Sequence, residues 1–202
     1  MKVSDVLTET PYLHPGEMSR KMLDGSYSIN TIQREFSRQL GTIGDMHVLI
    51  DTHGAVLIGL HPDDKPTLEG RVLPAFSLRF KRSHLIRFPN QFRNLVQIDT
   101  VAIDPFRGNK GVASAIYKMI VDAGYTLVSD VTQYDTAKAL WKKIAGDPSY
   151  KMYVADVDNG MFKDADGQPI VYNGSNISDA EIWSQGSDYD GQYRVLILTK
   201  AR

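Results

Sequence analysis

Arg107 and Lys110 sit among glycines in the run Phe106-Arg107-Gly108-Asn109-Lys110-Gly111-Val112-Ala113, the part of this 202-residue chain whose residue types say most about chemistry. Glycines remove the side chains that would hold a ligand away from the main chain, and the two cations suit an anion. A helix opening at this point leaves its first amides without an acceptor and carries about half a positive charge there, so the turn is laid out to bind phosphate. Upstream, Leu95 to Ile103 is apolar on both faces, as expected of a strand in the middle of a sheet. Pro105 lacks an amide proton and ends that strand near Ile103 or Asp104. Downstream, Val112, Ala115, Ile116, Met119, Ile120 and Ala123 recur on one face of a helix predicted over 111–123.

Three readings of this strand, loop and helix stand side by side. One is a turn whose glycines serve backbone geometry alone. A second is a dinucleotide fingerprint, since Asp130 follows about twenty residues on, but the run cannot be written as G-x-G-x-x-G. The third is a resemblance: Ile103-Asp104-Pro105 followed by Gly111-Val112-Ala113 is similar to the acyl-coenzyme A loop of the GNAT superfamily of N-acetyltransferases. The family's Gln/Arg position falls on Gly108, and Arg107 comes one residue early. Farther along, Thr126 to Asp130 reads as a short strand. Asp135 then caps a helix carrying Ala137, Leu140, Trp141 and Ile144, which Gly146 and Pro148 end. Ala137-Lys138-Ala139-Leu140-Trp141 resembles the family's Ala-x-x-Leu-Tyr run, with tryptophan in place of the tyrosine that lies near the thioester sulfur.

The resemblance implies an α/β fold of GNAT type, a mixed and mostly antiparallel central sheet flanked by helices, in one acyltransferase domain over 1–202. It implies acetyl-CoA as donor and direct transfer to a primary amine of a protein or small molecule, in a cleft where the central strand splays from its neighbour. Backbone amides of Gly108, Asn109, Lys110, Gly111, Val112 and Ala113 would hold the pyrophosphate, with charge from Arg107. Thr100, Val101, Ala102 and Ile103 would hold the pantetheine arm and offer an amide to the oxyanion. Trp141 would lie beside the thioester. Asp99 matches an acidic position often found in the family and is the candidate base, directly or through water; its alternative is a strand-end or buried acid paired with a nearby arginine. Tyr134 is the candidate acid, or else a packed surface aromatic. A thiol near about 8.5 costs only roughly 2 kcal/mol to release as thiolate at pH 7, so the acid is not essential. The alternative is a GNAT-like enzyme or binding module that acts on nucleic acid or a partner protein without ordinary acetyl transfer.

Composition sets outer bounds. The net charge of −1 and 42% hydrophobic content fit a globular enzyme and disfavour a general nucleic-acid or membrane-surface protein. There is no cysteine, and the five histidines show no metal-ligand spacing, so no metal site is expected. The amino terminus lacks a secretion-signal core and no run approaches eighteen apolar residues, which gives an expectation of a cytoplasmic protein, monomer or homodimer, away from membranes. Between Gly70 and Ile98, six basic residues (Arg71, Arg79, Lys81, Arg82, Arg87, Arg93) alternate with Phe76, Phe80, Phe88 and Phe92, and no acid occurs. This segment reads as a solvated hairpin or as a surface for phosphates and stacked bases. Residues 156–192 hold eight acids and one lysine, and read as an extended hairpin and loop turning at Asp166-Gly167, or as a lid for a cationic amine. Part of it, Phe162 to Gly167 and Glu181 to Ser184, resembles the tails of small acetyltransferase-like bacteriophage proteins. The remaining pattern predicts a helix over 28–43, a hairpin of His47 to Asp51 with Ala55 to Leu60, an extended segment over 71–82, and strands at Tyr150 to Ala155 and Tyr193 to Thr199.

Overall fold

The computed structural model describes residues 27–65, 70–81, 92–104, 111–130, 135–183 and 194–201. Their packing divides into two units. The first draws on 1–81 and 99–119, the second on 82–98 and 120–202.

In the first unit, helix α1 (Ile29–Glu35) starts at Ser28, whose hydroxyl accepts the Thr31 amide at 3.1 Å and so satisfies one of the amides a helix leaves open. Four strands follow: β1 (Arg38–Ile43), β2 (Met46–Ile50), β3 (Val56–Leu60) and β4 (Phe76–Lys81). Neighbours pair antiparallel, with Ile43 opposite Met46, His47 opposite Leu60 and Val56 opposite Arg79. Asp51 fixes the β2–β3 turn by accepting the amides of Ala55 and Val56 at 2.6 and 2.9 Å. Tyr27, Ile32, Phe36, Ile58 and Val72 bury a common apolar cluster, in which Tyr27 meets Phe36 edge to face. The hairpin of β2 and β3 is as predicted. The helix predicted over 28–43 is corrected: it stops at Glu35, and Arg38–Ile43 is a strand. Ile29, Ile32, Phe36, Leu40 and Ile43 fit a helical period throughout, but Gly44-Asp45 forms a two-residue turn with Gly44 at φ +63°, which pairs the second half with β2. Similarly, of the described part of the extended segment over 71–82, Phe76–Lys81 alone is ladder-paired strand.

Strand β5 (Leu95–Ile103) is shared, residues 95–98 falling in the second unit and 99–103 in the first; helix α2 (Val112–Asp122) is shared likewise at residue 119. In the second unit, β6 (Thr126–Val128) runs parallel to β5, with Leu95 opposite Thr126 and Gln97 opposite Val128. Beyond β6 the strand order is β10 (Arg194–Lys200), then β7 (Tyr150–Asp156), then β8 (Gly160–Met161); the short β9 (Val171–Tyr172) also pairs with β7. β10 is antiparallel to both β6 and β7, so the last strand of the chain is inserted between two that precede it. Helix α3 (Asp135–Ala145) connects β6 to β7 and buries Ala137, Trp141 and Ile144 from one face. It begins at Asp135 itself rather than one residue beyond it.

The architecture is mixed α/β, and every described register is antiparallel except that of β5 with β6. Along the edge of β7, residues 160–172 follow the strand but leave it for a small hairpin. Phe162 donates to Val154 and Ile170 donates to Phe162, while 163–168 is exposed. Asp164 ties the hairpin tip, its carboxylate accepting the amides of Asp166 and Gln168. The turn at Asp166-Gly167 is thus where the sequence puts it. A short helix α4 (Asp179–Ile182) closes the described part of this segment.

Candidate active site

Strand β5 supplies the rigid part of the candidate site. Thr100, Val101, Ala102 and Ile103 are all buried, which the apolar composition of both faces dictates. The strand's parallel register with β6 ends at Gln97, and β5 continues for six more residues. Where the ladder stops, the Gln97 side-chain amide donates to the Ser129 carbonyl at 3.1 Å, and Ser129 turns its own amide to Leu196. A side chain therefore occupies the place of the next rung.

At the far end of β5, the Asp104 amide donates to Ala75 at 2.9 Å and the strand is finished. Gly111, the residue before helix α2, has φ +93°. A side chain is strained in that conformation, and the space where a Cβ would stand is open. Among the described residues, the helical bonding begins with the Ala115 amide donating to the Gly111 carbonyl at 3.0 Å, and the amides of Val112, Ala113 and Ser114 find no acceptor within Val112–Asp122. Val112 and Ala113 are buried and anchor this first turn. Arg107, Gly108, Asn109 and Lys110 lie outside the described residues, as does Tyr134.

Asp99 is the polar group that projects from β5. Its side chain is 39% exposed; Lys81 on β4 stands 4.0 Å away, and the Thr100 hydroxyl donates to it at 3.4 Å. Both contacts are long, so the carboxylate keeps lone pairs for another donor. An arginine was the expected partner; among the described residues the ion-pair neighbour is Lys81, which the β4–β5 adjacency brings near. Trp141, in the second unit, is fully buried on the inner face of α3. Its burial follows from the helical spacing Ala137, Trp141, Ile144.

Among the described residues no three of His, Asp and Glu gather to hold a metal ion, and no helix is long and apolar enough to cross a membrane.

The chain is an α/β protein in which a nine-residue strand, Leu95–Ile103, precedes the helix Val112–Asp122. No protein-family model and no curated protein matches it. Among solved structures it is similar to a Bacillus subtilis acetyltransferase in complex with CoA, at 8% identity over 98% of each chain and a TM-score of 0.34. It is also similar to a variant of agmatine N-acetyltransferase in its apo form, at 10% identity over 98% of this chain and 100% of that one, with a TM-score of 0.35. Likenesses so remote assign neither a family nor an activity.

Proposed function

We propose that the chain is an acetyl-CoA-dependent N-acyltransferase of GNAT type, in which the turn from β5 into α2 grips the donor's diphosphate. The observation that carries this reading is Gly111: a positive φ, open space over its Cα, and three helix amides beyond it without intrahelical acceptors. Those features fit an anionic group brought against the main chain. A further support is the β5–α2–β6 crossover, the parallel element among otherwise antiparallel registers, which places the helix N-terminus after the carboxyl end of a buried strand.

The donor, when bound, supplies an acetyl group activated as a thioester. The chain's residues then have three tasks. Main-chain groups of Thr100 to Ile103 align the donor arm and present an amide to the oxygen that gains charge. Asp99 takes the proton that the acceptor ammonium must lose before its nitrogen can bond to the acetyl carbon. As the new C–N bond forms, the C–S bond breaks and the electron pair leaves on sulfur. No strong acid is demanded, because a thiol near about 8.5 leaves readily as thiolate. Acceptors are amines of proteins or small molecules, and the acidic stretch of 156–192 favours cationic ones.

One observation favours a second reading, a binding module of the same fold without transfer. Trp141 stands where the resemblance expects tyrosine, and it is fully buried. The test is release of free thiol from acetyl-CoA with a panel of primary amines, corrected for hydrolysis. Amine-dependent release is expected; binding of coenzyme A without any release would leave the binding module.

A further inference from the structure

A pocket of about 490 Å³ lies wholly within the second unit, around the end of α2 and the neighbouring ends of β6, β7 and β10. That is ample for a small ligand, whose sites span about 300–1,000 Å³. Tyr153 and Lys151 point the same way from β7, two residues apart, and Thr199 of β10 stands opposite Lys151. Phe92 closes against Tyr153 edge to face, ring centroids 5.7 Å apart. Arg93 follows Phe92 into the same wall.

The charge of this pocket runs against that of the chain. Among the described residues that line it Asp122 is the one acid, and it is already engaged: Lys200 stands 2.6 Å from one oxygen and the Tyr150 hydroxyl donates to the other at 2.9 Å. Lys200 also lies over the Tyr150 ring. Arg93 and Lys151 are exposed and have no ion-pair partner among the described residues. Two uncompensated cations beside a pair of aromatic rings, in a protein of net charge −1, form a recognition surface for a flat ring joined to an anion. Phe92 and Arg93 belong to the acid-free basic and aromatic segment, which the acyl-donor reading leaves without a role.

We propose that this pocket binds a nucleoside phosphate unit, its base against Tyr153 and Phe92 and its phosphate between Arg93 and Lys151. The unit is either a free nucleotide or one position of a single strand. Neither cation belongs to the β5–α2 turn, so the proposal holds or fails independently of acyl transfer.

The test uses the full chain, a fluorescein-labelled oligodeoxythymidine read by anisotropy at low salt, and thymidine 5′-monophosphate as competitor. Saturable binding is expected, with log affinity falling against log salt at a slope of about −1.4 if two phosphates are neutralised. The double change Arg93→Ala and Lys151→Ala weakens binding at least tenfold at an unchanged melting temperature, because both side chains are exposed. Tyr153→Leu weakens it about tenfold through lost stacking. Equal potency of monophosphate and oligonucleotide assigns a free nucleotide; a tenfold or greater advantage for the oligonucleotide assigns a strand. Absence of saturable binding, or binding undiminished when Arg93 and Lys151 are both changed to glutamate, overturns the proposal.

Discussion

Two aspartates of this chain, Asp99 on β5 and Asp179 at the start of α4, show how a sequence can leave one carboxylate available and immobilise another. Asp179 is clasped by Lys138 and Lys142 of α3, at 2.7 and 2.9 Å. Hydrogen bonds from these two lysines, Lys138 first, hold its pKa down from 3.8 to about 2. Asp99 has one lysine at 4.0 Å and a hydroxyl at 3.4 Å. The two carboxylates are about equally exposed, at 39% and 38%, so exposure does not separate them. Partner geometry does. Asp179 fastens the 173–183 segment to a helix, whereas Asp99 is held by no such clasp.

The contrast can be broken most forcefully at β5. Asp99→Asn is expected to lower kcat/KM for amine acetylation about a hundredfold, the scale of a lost general base, with little change in melting temperature. Steady-state kinetics beside Asp179→Asn checks this, since the latter should leave kcat/KM within twofold. Equal losses in the two variants would show that Asp99 has no special part in proton transfer.

The next effect is on acid stability. Because the folded pKa of Asp179 is lowered, its contribution is present above the ordinary value of 3.8 and disappears as pH falls through that value toward about 2. Asp179→Asn should therefore flatten the dependence of melting temperature on pH between about 4 and 2. An unchanged profile would mean that the two lysines do not hold this carboxylate in solution.

Beside Asp179, the Tyr172 side chain is fully buried and its hydroxyl has no hydrogen-bond partner among the described residues. Burial first, and then the charge of Asp179, push its pKa up to about 12. Tyr172→Phe removes a buried unpaired polar group and is expected to be neutral or to stabilise by about 1 kcal/mol in urea denaturation. In the native protein the Tyr172 contribution is complete below pH 10 and is lost as pH rises through about 12, and the phenylalanine variant should lose that alkaline component. A clear destabilisation would show that the hydroxyl is engaged after all.

The smallest effect belongs to Lys81. At 4.0 Å and with 36% side-chain exposure, its pairing with Asp99 is worth well under about 1 kcal/mol, so a double-mutant cycle of Lys81→Met with Asp99→Asn in urea denaturation should give a coupling energy below about 1 kcal/mol.

What could be read from residue order differs between these regions for a physical reason. Leu95–Ile103, the helix after it and the β2–β3 hairpin were legible because each carries its own signal: a two-faced apolar run, a 3.6-residue period, a polar turn between short strands. Residues 28–43 misled because Leu40 and Ile43 continue a helical spacing by coincidence, and the Gly44-Asp45 turn competes with it only once β2 is there to pair. The insertion of β10 between β6 and β7, the approach of Lys81 to Asp99 and the clasp on Asp179 join residues far apart in the chain. No local pattern records them. The pocket of Arg93, Lys151 and Tyr153 was half legible, since its basic and aromatic segment stands out, but its other wall comes from β7 and β10.

The account depends most on the turn into α2 holding a diphosphate. Thermal unfolding with 1 mM acetyl-CoA tests this directly: for a dissociation constant of tens of micromolar, stabilisation by about 2–3 kcal/mol is expected. Gly111→Val lowers the starting melting temperature, because a β-branched residue at φ +93° is strained, so the quantity to compare is the ligand-induced shift within each protein. Loss of that shift in Gly111→Val, with a full shift in the parent, is the predicted result; an equal shift in both, or none in the parent, would contradict the account.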